Sequence, residues 1–210
     1  MPNENGSVYG LTILSPIIDD PKATPSHDLQ IRAYLAQLST REDSPFAVAP
    51  GTHLARLVVM DDVIYVGAPA CEEHLKSKYL VFESNCDGDL DTYLNGLANS
   101  IPDHLDAIWS HCVGYPGAAN RAAFVAYMKA CQLETTFFFA AVNNKSVPES
   151  LRALQTQTAV ADFIAAHQGA DAATLQRDFL QFVAHLKAQP LPRPGSMGPH
   201  RDIKTGGHNE

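Results

Sequence analysis

The order of hydrophobic patterns along this chain predicts an α+β fold. Strand, helix, strand, strand, helix, strand is the split βαβ arrangement called ferredoxin-like, an antiparallel sheet with helices on one face. Two observations carry that reading. Runs of β-branched and apolar residues at 8–17, 52–62 and 78–85 read as strands. From Leu90 the period then switches to 3.6, with Leu90, Tyr93, Leu94, Leu97 and Ile101 on one stripe.

The first strand, "VYGLTILSPI", ends at a proline, and after the turn-rich "DDPKATP" Ser26 is placed to cap a helix. Ile31, Tyr34, Leu35 and Leu38 form its buried stripe, and it ends near Ser39. "THLARLVVMDD" and "KYLVFESN" are the next two strands, joined by a loop around "GAPACEEH" that is too long for a tight hairpin and is placed to cover something. Pro102 closes the helix that starts at Leu90, and "LDAIWSHCVGY" (105–115) reads as the fourth strand.

A helix-strand unit extends this pattern. "GAANRAAFVAYMKAC" predicts a helix with Phe124, Tyr127, Met128 and Cys131 on one side, and "LETTFFFAAVNN" a further strand whose Phe137, Phe138 and Phe139 suggest burial on both faces. Ser146 and Glu149 form a capping box with Pro148 in the first turn, so a helix begins near Val147 and runs to about His167. Gly169 ends it, and Leu175, Phe179, Phe182, Val183 and Leu186 line a last helix. Residues 1–189 thus read as one domain with C-terminal helices, and the Pro- and Gly-rich 190–210 as a disordered tail.

Composition bounds the function. The chain has 210 residues, 45% hydrophobic and 18% charged, enough for a sizeable core. A net charge of -8 without a Lys/Arg block argues against nucleic acid and anionic membranes as partners. No run approaches the roughly 20 apolar residues of a membrane span, and "MPNENGSVYG" lacks the pattern of a signal peptide, so the expected location is cytoplasmic. Cys71, Cys86, Cys112 and Cys131 show no CxxC or metal-finger spacing and read as free thiols in a reducing compartment.

Candidate chemistry follows from the placement of residues. Alternation along 52–60 sends His53, Ala55, Leu57 and Val59 to one face and Leu54, Arg56, Val58 and Met60 to the other. Arg56 then sits beside Glu83, as a cross-strand pair or a pocket floor. His111 lies two residues from Trp109 on the expected fourth strand, and histidine beside tryptophan suits a haem ligand, a general base or a plain hydrogen-bonded sheet position. In "SNCDGDLDTYL", Asp87 or Asp89 can cap the following helix. Asp87 can also present an acid to a pocket, with Gly88 allowing a planar ligand to approach. HExxH, Walker and GxSxG motifs are absent, and "GYPGAAN" does not have dinucleotide-binding spacing.

Together "THLARLVVMDD", "YLVFESNCDGDLDTYL" and "LDAIWSHCVGYPG" give the span Gly10 to Asn144 a resemblance to an uncharacterised group of ferredoxin-like proteins described as peroxidase-like or catalase-like. That group in turn resembles the dye-decolourising peroxidases of the dimeric α+β barrel class. The resemblance implies a haem-dependent oxidoreductase on a homodimeric scaffold. In "SNCDG", Asp87 and Gly88 match the end of a GxxDG motif, with Ser84 where its first glycine belongs. Asp87 would therefore handle peroxide protons. By chemistry, Arg56 would stabilise the developing charge, His111 or His53 would bind haem, with His111 the metal ligand, and Trp109 would relay an electron. One alternative is a non-haem binding or accessory protein holding a small molecule against Phe82, Trp109 and the Phe137–Phe139 run, dimerised through its open sheet face; another is a small-molecule enzyme without haem.

Overall fold

A computed structural model describes residues 3–198. Four strands, β1 (Glu4–Asn5), β2 (Val8–Pro16), β3 (Thr52–Met60) and β4 (Tyr79–Asp87), form one antiparallel sheet in the order β1-β2-β4-β3. Seven helices accompany it: α1 (His27–Leu35), α2 (Pro45–Val48), α3 (Leu90–Ser100), α4 (Pro102–Trp109), α5 (Arg121–Ala130), α6 (Val147–Ala166) and α7 (Ala172–Ala188). The fold is α+β, as the pattern predicted.

Alternation on the two central strands builds the core. Leu80, Phe82, Ser84 and Cys86 of β4 and Leu11, Ile13 and Ser15 of β2 point to the helix side and are buried. Tyr93, Leu94 and Leu97 of α3, Leu105, Ile108 and Trp109 of α4, and Phe124 and Met128 of α5 complete this layer. Phe82 stacks on Phe46 and meets Trp109 edge-on. Ser84 donates to the Leu54 carbonyl at 2.8 Å and lies 2.7 Å from the Tyr93 hydroxyl. Burial pushes the Tyr93 phenol up to about 12. On the other side of the sheet, Arg56 and Glu83 pair across β3 and β4.

Two expected strands are absent. Residues 105–115 do not continue the sheet: 102–109 are helix α4, and only Cys112 bridges to Ile17. The reason lies in the spacing of Leu105, Ile108, Trp109 and Cys112, all buried, which is the i, i+3, i+4, i+7 stripe of a helix. Pro102 opens this helix as well as ending the one before it, since the first turn needs no N–H from it. Residues 133–144 are irregular, joined to β2 through the Ile13 to Gln132 bridge and the Leu133 N–H to the Thr12 carbonyl. Phe137 and Phe139 are 82% and 70% exposed, and only Phe138 is tucked away, against Gly10. The outer edge of β2 is thus met by β1 and by fragments near 112 and 132.

Smaller differences follow local physics. Ser26 is the N-cap of α1, but its hydroxyl bonds Asp28, and α1 ends at Leu35 rather than near Ser39. The middle of the 61–78 loop stands in solvent, with Ile64 and Val66 89% and 82% exposed, while its ends, Asp61 and Leu75 to Lys78, line a small cavity with Ile17, Ile18 and Asp28. The predicted capping box of α6 is present, Ser146 and Glu149 each bonding the other's backbone N–H. Residues 190–198 return toward the sheet, with Gly195 against the backbone of Arg41. The last twelve residues of the expected tail lie outside the described residues.

Replacing Phe82 by alanine should remove about 3–5 kcal/mol of stability, the usual cost of emptying a fully buried aromatic site. Urea unfolding followed by the fluorescence of Trp109 measures it; a loss below 1 kcal/mol would mean that the helix layer does not depend on this contact.

Candidate functional site

The antiparallel register brings the start of β3 beside the end of β4. A bulge between Thr52 and Leu54 takes His53 out of the ladder, and His53 Nε2 lies 2.6 Å from Asp87 Oδ1. The other carboxylate oxygen, Oδ2, accepts the Val147 N–H at 2.9 Å, the first donor of α6. Asp87 N–H donates to the Gly51 carbonyl at 2.9 Å. Gly51, at φ +74°, adopts a conformation few other residues tolerate, and a Cβ there would come 3.1 Å from the Asp87 Cβ. Asp87 therefore ties β3, β4 and α6 together.

The cap of α3 is a different aspartate. Asp89 accepts the Thr92 N–H at 2.9 Å and the Thr92 hydroxyl at 2.7 Å, which hold its carboxyl below the ordinary value. Asp87 serves the N-terminus of α6 instead, where negative charge meets the positive end of the helix dipole. Gly88, at φ +74°, has open space where a Cβ would stand and donates its N–H to the Ser7 carbonyl at 2.9 Å, so its role is the turn itself.

His53 lines a cleft of about 380 Å³ between α1, α2 and β3. Leu35, Leu38, Phe46 and Leu57 supply apolar walls; Ser39 and Arg41 add polar groups, and Pro194 and Gly195 close one side. The C-terminal segment that brings them there is anchored on α6: Arg152 Nη1 donates to the Gln189 carbonyl at 3.0 Å, and Gln155 Nε2 to the Pro190 carbonyl at 3.0 Å. The carboxylate fixes the imidazole as the tautomer protonated on Nε2, leaving Nδ1 as the basic nitrogen. A carboxylate-oriented histidine on the wall of a half-apolar cleft is an arrangement for moving one proton.

The other expected site residues do not join it. Arg56 is 64% exposed on the opposite sheet face, paired with Glu83. Trp109 is wholly buried in the core, its indole N–H 3.3 Å from Ser15 Oγ. It does not line the cleft beside His53. His111 follows α4, not a strand, and its Nδ1 lies 2.9 Å from His27 Nδ1. Burial, then the neighbouring His27, push its pKa down. The His111 carbonyl accepts the Ile18 N–H, beyond the Pro16 to Tyr79 end of the sheet, whereas Asp87 is at the other end of β4. The length of β4 separates them by roughly 26 Å at 3.3 Å per residue.

Haem does not fit that set of residues. One macrocycle cannot place its iron at His111 and its peroxide face at Asp87 across that distance, and with iron on the free Nδ1 of His53, Asp87 would be bonded to the ligand's own Nε2 and not placed to handle peroxide protons on the opposite face. Among the described residues no three His, Cys, Asp or Glu side chains converge as a metal site. No described helix is long and apolar enough to cross a membrane. The chain matches no family model, no curated protein and no solved structure.

The long-range partners of Asp87 were missed at the level of sequence: His53, freed by the bulge, and the Val147 N–H; so was the Gly195 turn that closes the cleft. A signal existed for the first. In an antiparallel 52–60/79–87 pair the two ends with His53 and Asp87 coincide.

Two measurements check this geometry. A Cβ at Gly195 would fall 3.0 Å from the Arg41 carbonyl carbon at φ +82°. Gly195→Val should therefore lift the segment and speed carbethoxylation of His53 several-fold, read by peptide mass spectrometry; an unchanged rate would show that the segment does not shield the cleft. For His111, the unfolded side chain titrates near 6.5 and the folded one lower. The unfolded state then takes the proton first, so stability is full above about pH 6.5 and is lost as pH falls through the folded value. The melting temperature should drop over that window and drop less in His111→Gln; equal slopes would refute the linkage.

Proposed function

We propose that the protein binds a small, partly apolar molecule in the cleft beside β3, and that His53, oriented by Asp87, acts there as a general base. The observation that carries this reading is the 2.6 Å His53 to Asp87 contact on the cleft wall. A ligand would lay its apolar body against Leu38, Phe46 and Leu57 and present an acidic O–H, N–H or C–H to Nδ1. The proton would pass to Nδ1, and the imidazolium so formed would be stabilised by the Asp87 carboxylate.

Supporting a ferredoxin-like scaffold of the dimeric α+β barrel type is the antiparallel order β2-β4-β3, with a long crossover through α1 between β2 and β3. Free thiols at all four cysteines support a cytoplasmic setting. The oxidoreductase role implied by the peroxidase-like resemblance ranks second, because the residues proposed to serve haem lie at opposite ends of the sheet.

A thermal-shift screen of small aromatic and aliphatic fragments tests the proposal. At 100 times its dissociation constant a fragment in the cleft should stabilise the protein by about 2.7 kcal/mol. That shift should be lost in His53→Ala, reduced in Asp87→Asn and kept in Arg56→Ala. Fragments that bind His53→Ala equally well would overturn the cleft assignment. A stoichiometric Soret band on adding haemin, abolished by His111→Ala, would restore the haem reading.

A further inference from the structure

The C-terminal helices α6 and α7 stand apart in their packing. Each has the other as its main packing partner, and neither contains a single buried residue. The hairpin is nonetheless well defined. Phe163 of α6 meets Phe179 and Phe182 of α7 with ring centres 5.9 and 4.7 Å apart, and His167 stacks on Phe163. At the other end Arg152 and Gln155 hold the exit of α7.

Two helices in contact bury only the stripe they share. Leu154, Val160 and Ile164 of α6 and Leu175, Phe179 and Leu180 of α7 remain 38% to 64% exposed. On α6, Leu154, Gln157, Val160, Ala161 and Ile164 fall within one arc of the helix that contains no charge. A hairpin that stays solvated normally presents charged faces, but these 37 helical residues carry only Glu149, Asp162 and Asp178 against Arg152, Arg177 and Lys187. The two helices are electrically balanced and the turn between them adds only Asp171, in a chain of net charge -8.

We infer that α6–α7 is a self-association element, and that its occupant is the same hairpin of a second copy, the two forming a four-helix bundle. Charge argues for this partner: the acidic excess of the chain lies almost wholly outside the hairpins, whose balanced helix faces can meet with little of the repulsion the rest of the chain would bring. Geometry argues for it too, because a hairpin facing its own copy across a two-fold axis is a complete bundle. The six exposed side chains offer roughly 500 Å² per copy, so the pair approaches the ~1,000 Å² that a specific interface needs.

The open sheet face is the poorer surface. Phe138 covers its Gly10 end, and the Arg56 to Glu83 ion pair at its middle would lose its water on burial.

Sedimentation of the full chain tests this, with two double variants, Ile164→Glu/Phe179→Glu on the hairpin and Leu54→Glu/Val58→Glu on the sheet. The wild type and the sheet variant should sediment at twice the 22.7 kDa chain mass, and the hairpin variant at the single mass. Trp109 is the only tryptophan and lies in the sheet core, so its unchanged emission would show that the hairpin variant keeps the rest of the fold. In the wild type the melting temperature should rise with protein concentration, and in the hairpin variant it should not. A monomeric wild type at all concentrations would overturn the inference, and so would a dimer that survives the hairpin substitutions or is abolished only by the sheet ones. Neither result depends on the cleft binding anything.

Discussion

Strand β4 is hydrogen-bonded to a neighbour along both edges over nearly its whole length, and the rest of the molecule is arranged around that constraint. A strand paired on both sides cannot slip by one residue without turning Leu80, Phe82, Ser84 and Cys86 out of the core. Its register therefore fixes where α3 and α4 pack, because Tyr93 and Trp109 meet side chains on the helix face of the sheet. It also fixes where the strand stops. Asp87, its last residue, lands where the first turn of β3 and the N-terminus of α6 converge.

The sequence was most legible where one period ran uninterrupted. The stripe from Leu90 to Ile101, the strand expected at 78–85 and found at 79–87, and the Ser146 to Glu149 capping box each depend on residues a few positions apart, and each formed. The failures at 105–115 and 133–144 have a different origin. Leu105 to Cys112 mixes β-favouring residue types with helical spacing, and there the spacing prevailed because burial rewards a continuous stripe over propensity. Three consecutive phenylalanines have no period at all; two point into solvent and one closes over Gly10.

The site was half legible for the same reason. Asp87 could be singled out beside a glycine turn, and His53 by its residue type, but the bond between them spans 34 positions and passes through a bulge that no local pattern announces. Trp109 and His111 looked like neighbours on one strand face. In the helical turn that forms instead, Trp109 points into the core while His111 pairs with His27.

Asp87 also connects the two parts of the molecule. One carboxylate oxygen orients His53 and the other caps α6, so the group that sets the imidazole tautomer also starts the helical hairpin. The chain then leaves α7, is held by Arg152 and Gln155, and comes back to close the cleft at Pro194 and Gly195. The hairpin is thus tethered at both of its ends to the wall of one cleft. Asp87 at the start of α6 and the Gln189 to Gly195 segment after α7 are the two physical connections between the hairpin and the surroundings of His53.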